Sequence, residues 1–227
     1  LLGALLAIGQ LLAPALPRRL HARIPAARHR RPIPAPAHAR RMLVLEGCVQ
    51  SAATPQTNDA LRRVLDRLGI AVLAAPRAGC CGALDYHLGA HNHGLDAMRR
   101  NIDAWWLYIE AGAETIISSA SGCGTLLADY GRLLADDPAY AEKARRVSAL
   151  SRDVGEVIAG LDLAQLDIDT SVGRVAVHTP CSLHHGLGQP GLVTEILERA
   201  GFELADESVN VLCCGSAGTY SVLQPAR

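Results

Sequence analysis

IAVLAAPRAGCCG, residues 70–82, runs six apolar residues into a proline and then into two adjacent cysteines held between glycines. An apolar run of that length, bounded by Pro and Gly, reads as a buried strand followed by a tight loop. Neighbouring thiols make a poor disulfide, because linking them strains the peptide between. The letters CCG return in VNVLCCG, residues 209–215, again after an apolar run. Cys80 lies 80 − 48 = 32 positions after Cys48, and Cys213 lies 213 − 181 = 32 positions after Cys181. Each cysteine of the second set follows its counterpart by 181 − 48 = 213 − 80 = 214 − 81 = 133 positions. The chain therefore holds two copies of one unit, a cysteine followed at fixed distance by CCG.

The surroundings of each unit repeat as well. MLVLEG (42–47) and RVAVHTPC (174–181) read as opening strands. TNDALRRVLDRLG (57–69) has helical spacing at Leu61, Val64, Leu65 and Leu68, and GLVTEILERAG (191–201) matches it. In the first copy a helix through MRRNIDAWWLYIEAG (98–112), a strand TIISSA (115–120) and a loop SGCG (121–124) follow. Residues 125–160 read as mostly helical, broken at Asp136, Asp137 and Pro138. Alternating strands and helices predict an α/β fold of two tandem Rossmann-like halves, each with a largely parallel sheet, the second incomplete. The expected division is a helix and linker over 1–41, a first half over 42–170 and a second over 171–227. Adding the offset to Cys123 places its missing counterpart at 123 + 133 = 256, past Arg227.

Loops after strand ends gather at one edge of a parallel sheet, where ligands bind. Cys48, Cys80, Cys81, Cys123, Cys181, Cys213 and Cys214 all follow predicted strands. Seven cysteines in a chain too large to need disulfide staples point to a reducing compartment and to metal ligands or buried thiols. Zinc sites usually take cysteines in spaced pairs. An adjacent pair is expected to point its side chains apart, which suits a cluster of several irons better than one small ion. The residues alone leave iron–sulfur, zinc and unliganded thiols all open. Gly82, Gly122, Gly124, Gly215 and Gly218 let backbone approach a cofactor and offer N–H donors to sulfide.

Bulk properties narrow the partners. Residues 1–41 carry eight Arg and no acid, leaving 14 − 22 = −8 over residues 42–227. An acidic body argues against nucleic acid. LLGALLAIGQLLAPALP (1–17) is broken by Gly3, Gly9, Pro14 and Pro17 and falls short of the about 20 apolar residues a bilayer span needs. It reads as a helix, with RPIPAPAHARR (31–41) as an extended connector from a preceding module. Trp105 and Trp106 read as packing, and His87, His91, His93, His178, His184 and His185 as solvated or capping residues. Gly215 to Gly218 lacks the full dinucleotide fingerprint.

LEGCVQ, GCCGALDYH, RRNIDAW, SGCG, HTPCSLHH and LCCGSAGTYS together resemble the cysteine-rich (CCG) region of the iron–sulfur subunits of bacterial glycolate oxidases. The CCG unit is shared with heterodisulfide reductase, anaerobic glycerol-3-phosphate dehydrogenase and lactate-utilisation proteins. The resemblance implies an electron-transfer subunit carrying an iron–sulfur cluster of 4Fe-4S type, cubane or non-cubane. It implies an FAD-binding partner subunit that oxidises glycolate to glyoxylate, and an acceptor such as quinone. It also implies a preceding ferredoxin-like module, whose CxxCxxCxxxCP motifs do not occur in this sequence. The expected location is the cytoplasm or, peripherally, the inner face of the membrane. In the CCG chain of heterodisulfide reductase the unit ends in CxxC; here Ala120 replaces the first of those cysteines, leaving four thiols in the first copy. The alternatives are a docking domain with zinc or no metal, thiol–disulfide chemistry in the manner of heterodisulfide reductase, and a CCG protein of the lactate-utilisation type.

Overall fold

The structure, a computed structural model, describes residues 2–17, 21, 24, 32, 33, 35 and 37–205. The second CCG, with Cys213, Cys214, Gly215 and Gly218, lies outside the described residues. The N-terminal apolar run is helical over Leu2–Leu12 (α1), as expected. Strand β1 (Arg40–Leu45) leads through the short helix α2 (Cys48–Ala53) to helix α3 (Pro55–Arg67) and strand β2 (Ile70–Leu73). Helices α4 (Ala83–His87) and α5 (His91–Glu110) lead to strand β3 (Ile116–Ser118). Helices α6 (Ser121–Leu133) and α7 (Ala141–Leu150) lead to strand β4 (Ser151–Asp153), and α8 (Val154–Ala159) follows. The four strands form one parallel sheet in the order β2-β1-β3-β4.

Both faces of this sheet are covered, as an all-parallel sheet requires. Leu43, Leu45 and Ile116 face one core with Met98, Ile102, Trp105, Leu127 and Tyr130 from α5 and α6. Met42, Val44 and Ile117 face the other with Leu61 and Leu65 from α3 and Val157 from α8. Successive residues of β1 thus alternate between two dry interiors, so its continuous apolar run is a consequence of burial on both sides. Trp105 is buried, as expected from packing, and Lys143 Nζ sits 5.3 Å from the Trp106 ring centroid.

Several boundaries differ from the expectations. Strand β4 lies inside the stretch expected to be mostly helical. Its short SRD segment carries no apolar pattern, and it is fixed by pairing with β3 and by the Asp153–Glu156 capping box that starts α8. The expected SGCG loop is instead the first turn of α6. The expected break at 136–138 is present: Asp137 accepts from the Ala139 N–H (3.0 Å) and from Arg99 Nε (2.8 Å).

The opening strand of the second copy is reduced, among the described residues, to one parallel bridge, Val175 with Leu204. It still follows the repeat. Met42 pairs with Val72 in the first copy, and the offset of 133 carries that pair to Val175 and Ala205, one position from the bridge. Helix α9 (Leu192–Arg199) corresponds to α3, and each is followed by a left-handed glycine, Gly201 and Gly69. Arg199 donates to the carbonyls of Ala159 (2.6 Å) and Leu161 (2.9 Å), tying α9 to the end of α8.

Leu65 is fully buried between α3 and the sheet, whereas Leu107 on α5 is 73% exposed. Leu65→Ala is expected to lower unfolding stability by about 2–5 kcal/mol. Leu107→Ala should stay within about 0.5 kcal/mol of the parent. Chemical denaturation followed by circular dichroism measures both, and equal losses would contradict the two-faced core.

Candidate metal centre

Strands β1 and β3 are neighbours, yet the chain leaves them toward opposite faces. After β1 it packs α3 into one core, and after β3 it packs α6 into the other. The crevice where adjacent strands send their connections apart is the general ligand site of open parallel sheets. Cys48 opens helix α2 directly after β1, behind Gly47 (φ +68°). Cys123 lies in the first turn of α6 directly after β3, its N–H bonded to the Ala120 carbonyl (2.9 Å). Cys80 and Cys81 come from the loop after β2, on the other side of β1. The sequence-predicted thiols of the first copy are therefore delivered to one edge from three strand ends.

There their side chains interact: Cys48 with Cys80, Cys80 with Cys81, Cys81 with Cys123, and Cys123 through its charge with Cys48. None of the four is in a disulfide. Cys81 is buried and the other three are half-buried. Interaction with the Cys48 and Cys81 thiols holds Cys80 well below the ordinary thiol range, with help from the Gly82 N–H and Arg100. Cys123 is lowered by Cys81. Cys48 is raised, first by Cys80 and then by burial, and Cys81 is raised by Cys123, by Cys80 and by burial. A bound metal group would displace the protons that the thiols carry.

The expectation that the adjacent thiols point apart is overturned, because Cys80 and Cys81 interact with one another. Their loop is turned by Gly82 at φ +95°, a conformation that a side chain rarely adopts. The Gly82 N–H points back at Cys80 Sγ (3.5 Å). Side chains from α5 and α6 hold the carbonyls. Asn101 Nδ2 donates to the Cys80 carbonyl (2.9 Å), Tyr130 Oη donates to the Cys81 carbonyl (2.7 Å), and Arg100 Nη2 donates to the Cys80 carbonyl (3.1 Å). Burial pushes the Tyr130 hydroxyl up, so it stays protonated and able to donate.

Among the described residues, no group of three or more His, Cys, Asp or Glu side chains is arranged to hold a single metal ion. The four thiols interact as one group, with Cys123 acting on Cys48 and on Cys81. A second polar group lies at the same crevice. Glu46 pairs with Arg62, its carbonyl and carboxylate both accept from Asn58 Nδ2 (3.1 Å each), and Ser119 Oγ donates to Asn58 Oδ1 (2.6 Å).

The remaining predicted residues are placed as follows. Cys181 is exposed and precedes a turn over Ser182–Gly186 that packs on α6, where Ser121 Oγ and Ser182 Oγ lie 2.7 Å apart. Gly124 is close-packed, since a Cβ there would meet Leu187 at 3.3 Å; at Gly122 a Cβ would meet nothing. His87 and His91 are exposed at helix ends, with the His91 ring stacked on Tyr86 (4.8 Å), and His184 stacks on His185 (4.3 Å). Sequence reasoning gave no role to Arg100, Asn101 and Tyr130. The available signal was a polar residue at a helical core position: Asn101 shares the face of Met98, Trp105 and Ile109.

A parallel α/β domain that presents cysteines from successive strand ends at its switch point defines a cysteine-rich cofactor-type domain. The chain belongs to the cysteine-rich (CCG) domain family, whose pattern matches residues 42–128 and 175–227, one segment in each copy. It is 48% identical over 223 residues to the glycolate oxidase iron-sulfur subunit of Escherichia coli, covering 98% of this chain and 54% of that protein. It is 29% identical over 189 residues to a probable glycolate oxidase iron-sulfur subunit of Bacillus subtilis, covering 82% of the chain and 41% of that relative. Lactate utilization protein A of Geobacillus thermodenitrificans is 28% identical over 161 residues, 70% of the chain and 65% of that protein. The chain thus spans about half the length of the glycolate oxidase relatives it matches.

Gly82→Ala would place a Cβ 2.7 Å from the Gly94 carbonyl oxygen at a left-handed φ, so a loss of at least about 1–2 kcal/mol is expected. Gly122→Ala, in open space within the first turn of α6, should be neutral or slightly stabilising. Thermal unfolding of the two variants side by side checks the contrast; equal effects would contradict the loop geometry.

Proposed function

We propose that this chain serves in the iron–sulfur electron-transfer subunit of a glycolate-oxidising complex. The observation that carries the reading is the group of Cys48, Cys80, Cys81 and Cys123, brought from three strand ends to the switch point of the sheet. Support comes from the 48% identity to a glycolate oxidase iron-sulfur subunit over nearly the whole chain. The cluster, when bound, supplies one-electron transfer. The chain's own residues do the rest. Cys48, Cys80, Cys81 and Cys123 bind it as thiolates, Gly82 and its N–H lower the cost of charge on Cys80, and the two cores exclude water from the protein side of the edge. By the 133-residue repeat we extend the ligand role to Cys181, Cys213 and Cys214, and the supporting role to Gly215 and Gly218.

In this reading glycolate is oxidised to glyoxylate on an FAD-bearing partner subunit, and electrons pass through this chain toward quinone or another acceptor. Among the described residues no helix is long and apolar enough to cross a membrane. The reading places the protein in the cytoplasm or peripherally at the inner membrane.

The test is anaerobic. The chain and its Cys81→Ser variant are reconstituted with iron and sulfide, assayed for both, and then mixed with the glycolate-oxidising flavoprotein. Bound iron with acid-labile sulfide, and a visible band bleached by glycolate only when the flavoprotein is present, is the expected result for the parent. Cys81→Ser should lose most of the iron of the first copy. A variant that keeps the full iron content and spectrum would remove these four cysteines from the function.

A further inference from the structure

Adjacent residues of an extended chain direct their side chains to opposite sides. For Cys80 and Cys81 to interact, the peptide planes around them must be rotated and kept rotated. Named side chains hold the two planes that follow Cys80 and Cys81 and the plane that leads into Gly79. The plane between Cys80 and Cys81 is fixed by its carbonyl, which accepts from Asn101 Nδ2 (2.9 Å) and Arg100 Nη2 (3.1 Å). The plane between Cys81 and Gly82 is fixed at both ends: its carbonyl accepts from Tyr130 Oη (2.7 Å), and its N–H points at Cys80 Sγ (3.5 Å). The plane between Ala78 and Gly79 is fixed by its N–H, which donates to Asn101 Oδ1 (2.9 Å).

Asn101 and Tyr130 are fully buried, and each spends its polar atoms on this loop or on the other. Asn101 Nδ2 also donates to Tyr130 Oη (3.2 Å), so the two act as one unit. The amide's orientation is dictated by its partners, since the Gly79 N–H needs an acceptor and the Cys80 carbonyl needs a donor. A merely space-filling role would be met by Leu and Phe. Buried polar groups that are fully satisfied specify one arrangement, and removing a member leaves the rest unpaired.

We propose that Asn101 and Tyr130 form a positioning unit that turns Cys80 and Cys81 to the same side, so that two adjacent residues serve as ligands to one iron–sulfur cluster. The ligand part of this statement rests on the function proposed above; the positioning of the thiols does not. Arg100 adds a fixed positive charge beside Cys80 from the solvent side. A cation close to a thiolate ligand favours the reduced, more negative state of the bound group, so it raises the reduction potential.

The experiment uses the full chain with two readouts. In the first, the metal-free protein is treated with phenylarsine oxide, which bridges two thiols only when they lie side by side. Capture is mapped by mass spectrometry to the tryptic peptide spanning 78–99, which contains Cys80 and Cys81. In the second, the anaerobically reconstituted protein is assayed for iron, and its potential is measured by redox titration. Asn101→Asp, which replaces the two N–H donors by an acceptor, is expected to cut arsenical capture on that peptide and iron content at least several-fold. Arg100→Gln, at an exposed position, should keep the iron and move the potential downward, with Arg100→Lys restoring most of the shift. Leu65→Ala, buried in the opposite core, is the control for general destabilisation. Parental capture and iron in Asn101→Asp would overturn the proposal, and so would an equal loss in Leu65→Ala. Arsenical capture that depends on Asn101 in a parent that takes up no iron would uphold the positioning and overturn the function instead.

Discussion

The pairing of β1 with β3, Leu43 with Ile116 through Leu45 with Ser118, is the constraint on which the site depends. It places side by side two strands whose connections leave for opposite faces of the sheet. The crevice that results cannot be filled by either helix, and the first residues beyond both strands must line it. Cys48 and Cys123 are among those residues, and β2, on the far side of β1, brings Cys80 and Cys81 alongside. Each strand here is three to six residues long, so the sheet alone is a small scaffold. Its rigidity comes from the two cores, with Trp105 and Tyr130 as the largest side chains buried on one face.

Tyr130 links that packing to the chemistry. Its ring is part of the core that α6 makes with α5, and its hydroxyl reaches the backbone of the CCG loop. Any shift of α6 relative to α5 is thereby transmitted to the carbonyl of Cys81. Helix α6 also carries Cys123 in its first turn, so one helix both supplies a thiol and holds the Cys81 carbonyl. α6 is in turn close-packed on α7, where a Cβ at Gly131 would come within 3.0 Å of the Arg145 Cα and Ser148 Oγ donates to the Leu127 carbonyl (2.9 Å).

Much of this was legible in the sequence, for a physical reason: cysteine spacing is counted along the chain, and strand ends of a parallel sheet are brought to one edge whatever the details between. The 133-residue offset located the repeat, and the parallel bridge at Val175 falls within one residue of where that offset puts it. What stayed hidden depended on long-range contacts. The SRD strand has no apolar alternation and exists because β3 offers it a free edge. The side-by-side thiols of Cys80 and Cys81 contradict what an extended dipeptide would do, and the cause sits 21 and 49 positions away, in Asn101 and Tyr130. A polar residue at a helical core position, Asn101, was the one local sign of it.

The central claim is that Cys48, Cys80, Cys81 and Cys123 together hold several irons rather than one ion. X-ray absorption at the iron edge of the anaerobically reconstituted chain, with metal and sulfide analysis of the same sample, tests it most directly. The account predicts iron coordinated by sulfur with a second shell of iron at short range. A single zinc per site with four sulfurs at about 2.3 Å, and no acid-labile sulfide, would contradict it.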